Sequence, residues 1–352
     1  MMLAPIAHIS PLTLIRKDRV LPVPGRVVVR QGQKVAPRDV IAEANLAPEH
    51  ILLHITRGLG VSIEQADNLI QCTTGEHVNA GDLIAGPVGI ARRVVRSPIS
   101  GQIMLAGEGQ VLIQVDKPLY ELHAGISGTV TQLISEYGAV IETTGCLIQG
   151  HWGNGRVDFG LMQSKLETPT DELTTDHIDV SLRGSVVLGG YCKDPTVLDR
   201  AANIPIRGLV LASMSSALVP AALSKDFPIL VLEGFGPLPL NAISFNLLTN
   251  HQNREISVNA EPFDAYSGKR PEVIITLPSS RELDPPGVFE TFAVGQRVRI
   301  MRAPYQSKTG TIELLYNGLT EFPSGIRAPA AQITLEDGKS VKAPLVNLEV
   351  IN

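Results

Sequence analysis

The sequence predicts a multidomain α+β chain in three parts: a β-rich first part, a middle part of alternating strands and helices, and a small closing β barrel. Three observations carry this. One turn pattern is written twice in the first third, apolar runs alternate with amphipathic stretches in the middle, and glycine and proline punctuate short β-branched runs throughout. A chain of 352 residues also exceeds one ordinary core. The expected parts are residues 1–165, 177–279 and 288–352.

In the first part, Gly32-Gln-Lys-Val35-Ala-Pro-Arg-Asp39-Val-Ile-Ala42 and Gly75-Glu-His-Val78-Asn-Ala-Gly-Asp82-Leu-Ile-Ala85 share the pattern Gly-x-x-Val-x-x-x-Asp-Val/Leu-Ile-Ala. In each, glycine permits a tight turn, valine enters a core, aspartate ties a second turn and Ile-Ala begins a strand. Gly25, Gly101 and Gly128 each precede β-branched residues and are read as turn glycines opening a hairpin strand. Between the repeats, residues 62–72 (SIEQADNLIQC) predict a helix with Ile63, Ala66, Leu69 and Ile70 on one face. Gly25-Arg-Val-Val-Val with Gly32-x-x-Val35, and Ser97-Pro98-Ile-Ser100-Gly101 after Gly75-x-x-Val78, resemble the barrel-sandwich hybrid of biotinyl and lipoyl carrier domains. Such carriers attach their cofactor to a lysine at a hairpin tip. No lysine occurs from Glu43 to Gly75, so no cofactor is expected.

The middle part follows a polar linker, residues 166–176. Residues 184–190, 207–213 and 228–234 read as buried strands, and 195–203, 215–224 and 240–249 as helices, with further strands at 255–258 and 271–277. This alternation predicts a Rossmann-like, doubly wound α/β domain. A ligand would sit beyond the carboxyl ends of its strands. Gly189, Gly190, Lys193, Ser213, Ser215, Glu233 and Gly234 are the candidate ligand-binding residues, since glycines and serines there admit a phosphate to a helix start. The serines serve equally well as helix caps, and neither Gly-x-Gly-x-x-Gly nor Gly-x-x-x-x-Gly-Lys-Ser/Thr is present.

In the closing part, Val294-Gly-Gln-Arg-Val-Arg-Ile300, Pro304-Tyr305 and Thr309-Gly310-Thr-Ile312 resemble the KOW motif of SH3-like β barrels in ribosomal proteins and NusG-type transcription factors. That resemblance implies RNA or the ribosome and transcription machinery as partners. Arg297, Arg299, Arg302 and Lys308 supply four positive charges with no acid between Ala293 and Ile312. Arg297 and Arg299 are expected on the solvent face of one strand, with Tyr305 beside them to stack a base. The competing reading is a solvated edge strand whose arginines discourage pairing with another chain.

Composition bounds the rest. Aromatics make up 4% of the chain, and 32 glycines and 25 prolines favour small β barrels over helical bundles. A net charge of −5 gives no global attraction to nucleic acid or anionic lipid, so such contacts need a local patch. Cys72, Cys146 and Cys192 read as reduced, buried thiols of a cytoplasmic protein. Prolines and polar residues interrupt the N-terminal apolar stretch, and no run long enough to cross a membrane follows, so neither secretion nor a membrane contact is expected. His50, His54, Cys72 and His77 were weighed as a zinc site, but their spacing matches no established motif and no metal is expected. No catalytic signature occurs. The expected role is a non-enzymatic binding or scaffold protein; the alternatives are a small-molecule-binding or enzymatic α/β protein with regulatory β domains, or a structural subunit with protein partners or self-association.

Overall fold

The computed structural model describes residues 3–351 apart from 47–48, 117–118, 265–267, 280, 282 and 288–289. The expected start of the closing part, residue 288, lies outside the described residues.

Both copies of the repeated pattern fold alike. Gly32 (φ 82°) and Gly75 (φ 92°) take the left-handed conformation that glycine accepts without strain. Their N–H groups donate to the Val130 and Ile103 carbonyls, each at 2.7 Å. The Asp39 carboxylate accepts the Ala36 N–H at 2.8 Å, and Asp82 accepts that of Asn79 at 2.7 Å. Val35 and Val78 are buried, as are Ile41-Ala42 and Ile84-Ala85.

The second copy is nested inside the first. Strand Val40–Ala44 pairs with Tyr120–His123, and the chain between them builds a second barrel around Ile55, Leu59, Ile84, Ile103 and Ile113. The first barrel packs Leu21, Val35, Ile41, Val130 and Ile141. In the inner copy the corresponding hairpin, Leu83–Val88 with Arg93–Arg96, closes on itself. Gly25, Gly101 and Gly128 prove to be sites of close approach, not of left-handed turns. A Cβ there would fall 2.2, 2.1 and 2.5 Å from the carbonyl oxygens of Glu43, Gln114 and Glu142. The predicted helix 62–72 is shorter, Ile63–Asp67, capped by Ser62 and Gln65. It stops because Ile70 leaves to bridge Ala85. Ile63, expected on the buried face, is 56% exposed.

The expectation of a multidomain α+β chain with a Rossmann-like α/β domain is overturned. The protein is mostly β, 46% strand against 13% helix. Strands Val157–Ser164, Ser185–Cys192, Gly208–Met214 and Ile229–Phe235 are parallel, but they are four of eleven in one sheet. That sheet continues antiparallel through Glu255–Asn259, Glu272–Thr276 and Gly138–Gln149, and Gly138–Gln149 also pairs along its length with Ile9–Val20. One sheet thus joins residues expected in separate parts. Local alternation shows strands and helices but not which sheet a strand enters.

One face of this sheet is covered throughout by a core that includes Ile148, Val186, Val210, Leu230, Val258 and Ile275, with helix Ala242–Asn250 upon it. The other face is covered at its parallel end by helices Pro195–Asn203 and Val219–Leu223. Asp194 caps the first of these, accepting the Thr196 N–H at 2.9 Å. The antiparallel end of that second face carries no helix among the described residues.

The C-terminal six-stranded sheet runs in the order Ile6–Ala7, Leu348–Ile351, Arg297–Ile300, Thr309–Leu315, Ala330–Leu335 and Ser340–Pro344. Its core includes Val298, Ile312, Ile333, Leu348 and Val350. The chain's first residues therefore pair with its last: Ile6–Ala7 lies parallel to Leu348–Ile351.

Candidate functional site

At the first of the strand ends expected to form a ligand crevice, residues 171–173 lie alongside Tyr191: Tyr191 N–H donates to the Asp171 carbonyl and Leu173 N–H to the Tyr191 carbonyl, both at 2.9 Å. A Cβ on Gly190 would fall 1.7 Å from the Asp171 oxygen, and one on Gly189 would strike Leu173 at 2.7 Å. These glycines serve close chain approach rather than a phosphate. Lys193 pairs with Glu172 at 2.8 Å. Ser213 is fully buried and donates to the Leu238 carbonyl at 2.8 Å. Ser215 precedes the short 3-10 turn Ser216–Leu218 and makes no side-chain cap. Gly234 turns the chain with φ 112°. Glu233 accepts from the Asn241 backbone N–H at 3.0 Å and turns its other oxygen to Arg299.

Arg299 therefore does not share the solvent face of its strand with Arg297. Alternation does put the two on one side, but at residue 299 the end of strand Ile229–Phe235 covers that side, and Arg299 is 1% exposed. Arg297 and Arg302 are exposed. Tyr305 is half-buried with the Lys339 ammonium 4.9 Å from its ring centre, and Lys308 pairs with Asp337 at 2.9 Å. Of the five expected contact residues, Arg297, Arg302 and Lys308 are exposed, Lys308 in a surface ion pair.

Arg299 belongs to a buried ion cluster between the C-terminal sheet and the large sheet. Its NH1 meets Glu233 Oε2 at 3.0 Å and its NH2 meets Glu349 Oε2 at 2.5 Å, while Arg270 NH2 holds Glu349 Oε1 at 2.7 Å. Burial alone would raise the Glu349 pKa, but Arg299 and Arg270 outweigh it and bring it down to about 2. His151 beside them donates its Nδ1–H to the Leu232 carbonyl at 2.7 Å. Burial, then the Arg299 charge, lowers its pKa. Two cations here face two carboxylates, so the cluster is internally neutral.

The antiparallel end of the sheet presents a different arrangement. On its helix-free face lies a cleft of about 830 Å³. The register explains its floor: Gln149 stands opposite Glu272 and Glu272 opposite Asn259, while Leu147, Ile274 and Ser257 form the next row. Ile15, Lys17 and Arg19 alternate along the neighbouring strand and share one side of it. Ile126, Val157 and Phe263 add apolar wall. A smaller hollow of about 310 Å³ near Pro37 and Thr276 is more polar and shares Ser257 with the cleft.

Charges in the cleft are unevenly matched. Lys17 Nζ lies 2.5 Å from Glu272 Oε1, an ion pair without aligned hydrogen-bond geometry, and Glu272 is 1% exposed. Arg19 donates through Nε to the His123 carbonyl at 3.1 Å. Among the described residues no carboxylate lies within 4.0 Å of its guanidinium. Burial lowers the Arg19 pKa, and the more distant Glu261, Tyr120 and Glu272 do not restore it. His8 gives its N–H to Gln149 Oε1 at 3.1 Å, but its buried Nδ1 has no hydrogen-bond partner. Burial, then Arg270, lowers its pKa against an opposing pull from Glu290. Arg270 lines the cleft and also holds Glu349, so cleft and cluster share one residue.

No residue of this cleft was singled out from sequence. The available signal was Ile15, Lys17 and Arg19 at spacing two; nothing local pointed to Gln149, Asn259 or Glu272. The histidines weighed for zinc do not converge. His50 and His54 are exposed on a strand, His77 pairs with Asp116 at 2.5 Å and Cys72 is buried in the inner barrel. No cluster of three or more candidate metal ligands occurs among the described residues. Burial pushes the Cys146 and Cys192 thiols up to about 12 and about 11, where they are not nucleophiles at neutral pH. Among the described residues no helix is long and apolar enough to cross a membrane. Comparison with known proteins gives no match, either to a family model or to a curated protein.

Proposed function

We propose that the protein acts by binding, as a non-enzymatic binding or scaffold protein, and that its ligand site is the cleft on the helix-free face of the large sheet. The cleft's dimensions carry this reading. Its volume of about 830 Å³ suits a small organic molecule, and apolar walls with a few convergent polar groups are the usual composition of such sites. Filling it from the wall with Val157→Trp should abolish binding of small aromatic probes, followed by ligand-observed NMR on the full chain, while circular dichroism stays unchanged. Equal binding by that variant would place the probes elsewhere and remove the reading.

A second reading rests on Arg297 and Arg302, exposed and without an ion pair among the described residues. Through its resemblance to KOW barrels, the C-terminal barrel would contact single-stranded RNA with these two side chains. Two phosphate contacts correspond to a log–log salt slope of about −1.4. A double change of both arginines to glutamate that left RNA binding and its slope intact would discard it.

A further inference from the structure

We propose that the cleft takes an organic oxyanion, a carboxylate or phosphate ester with an apolar body, and that Arg19 receives the charged end. The inference rests on the cleft being a ligand site and names the chemistry of its ligand.

Every other cation buried near this sheet has a carboxylate in contact. Lys17 has Glu272, Arg270 has Glu349, and Arg299 has both Glu233 and Glu349. Arg19, half-buried, is the one of these four without such a contact among the described residues. Leaving a cation so costs stability unless something supplies the opposite charge. Its orientation is also set. The Nε–H is engaged by the His123 carbonyl, which leaves the terminal amino groups for a partner. Gly125, with φ 73°, lies against that guanidinium, and an added Cβ would sit 3.5 Å from Cζ and from one terminal nitrogen. A planar fork held by a backbone carbonyl and exposing its remaining donors is suited to two-point recognition of an oxyanion.

The surroundings favour an anion with an apolar body over a free inorganic ion. Ile126, Val157 and Phe263 line the same cleft. Five lysines and arginines line it against three carboxylates, on a chain whose net charge is −5. Glu272, the deepest of those acids, is already matched by Lys17. Glu261 is the acid that opposes an incoming anion, because it lines the cleft and its charge acts on Arg19 without touching it.

Isothermal titration of the full chain with benzoate, phenyl phosphate and the neutral benzyl alcohol tests this. Benzoate or phenyl phosphate should bind at least tenfold more tightly than benzyl alcohol, and the better of the two distinguishes a carboxylate site from a phosphate site. Arg19→Gln should remove that preference and leave benzyl alcohol unchanged. Arg19→Lys, which keeps the charge but not the fork, should retain part of it and guards against misfolding of the first variant. Arg26→Gln, outside the cleft and paired with Glu43, should change nothing. Equal affinity for the three probes in the wild type, or an undiminished preference in Arg19→Gln, overturns the oxyanion assignment while leaving the cleft as a site. If none of the probes binds, or if Val157→Trp binds them all as well, the cleft reading falls with it.

Discussion

Two arginines, Arg19 on the large sheet and Arg299 on the C-terminal sheet that meets it, have opposite fates. Arg299 is buried at the junction of the two sheets, where Glu233 and Glu349 match its charge. Arg19 is half-buried in the cleft, with one backbone carbonyl and, among the described residues, no carboxylate in contact. The contrast separates a charge that holds the fold from one that is available to a ligand. Burial does not make that distinction; matching does.

The largest effect is expected from Arg299→Met. It leaves Glu233 and Glu349 buried without their shared cation and should cost about 3–5 kcal/mol, measured by urea denaturation at neutral pH. Loss near zero would show that the cluster is not what joins the two sheets. Acid should reach the same cluster in the wild type. Glu349 has a folded pKa of about 2, below its unfolded value of 4.5, so its contribution is fully present above pH 4.5 and is lost as pH falls toward 2. A shift of that size corresponds to about 3 kcal/mol, and hydrogen exchange should show strands Arg297–Ile300 and Leu348–Ile351 losing protection across that window. Protection that is flat between pH 5 and 2 would contradict it.

A smaller effect sharpens the other half of the comparison. Glu261→Gln removes the acid opposing an anion in the cleft and should raise benzoate affinity severalfold; unchanged affinity would separate Glu261 from the site. The smallest effect is the stability of Arg19→Gln, expected within about 1 kcal/mol of wild type because it loses one carbonyl hydrogen bond and relieves an unmatched, half-buried charge. A loss as large as that of Arg299→Met would make Arg19 a structural residue.

Much of the local structure was legible. The Gly-x-x-Val-x-x-x-Asp pattern works because each residue type answers a local need: a left-handed turn at Gly32 and Gly75, a buried position at Val35 and Val78, a turn-closing carboxylate at Asp39 and Asp82. The strands and helices from Ser185 to Thr276 also follow from their periods. The nesting did not, because a hairpin that closes at Gly89 in one copy and opens for a whole barrel after Ala44 in the other looks the same from its flanking strands. Glycines misled in one consistent way. Gly190, read as room for a phosphate, and Gly101, read as a turn, both make room for a neighbouring carbonyl. Arg299 misled because alternation assigns a side of a strand, while the element that covers the side comes from more than 60 residues away. The cleft was hidden for the same reason: Lys17, Gln149, Asn259 and Glu272 converge only through strand register.

The most direct measurement of the central claim is a benzoate titration of the full chain carrying ¹⁵N-labelled arginine, following each side-chain Nε resonance, with Arg19 assigned by its loss in Arg19→Lys. The Arg19 resonance should move saturably while that of Arg299, sealed between Glu233 and Glu349, stays in place. An unmoved Arg19 resonance under saturating benzoate would contradict the account, because the unmatched cation would then not be the group that receives the ligand.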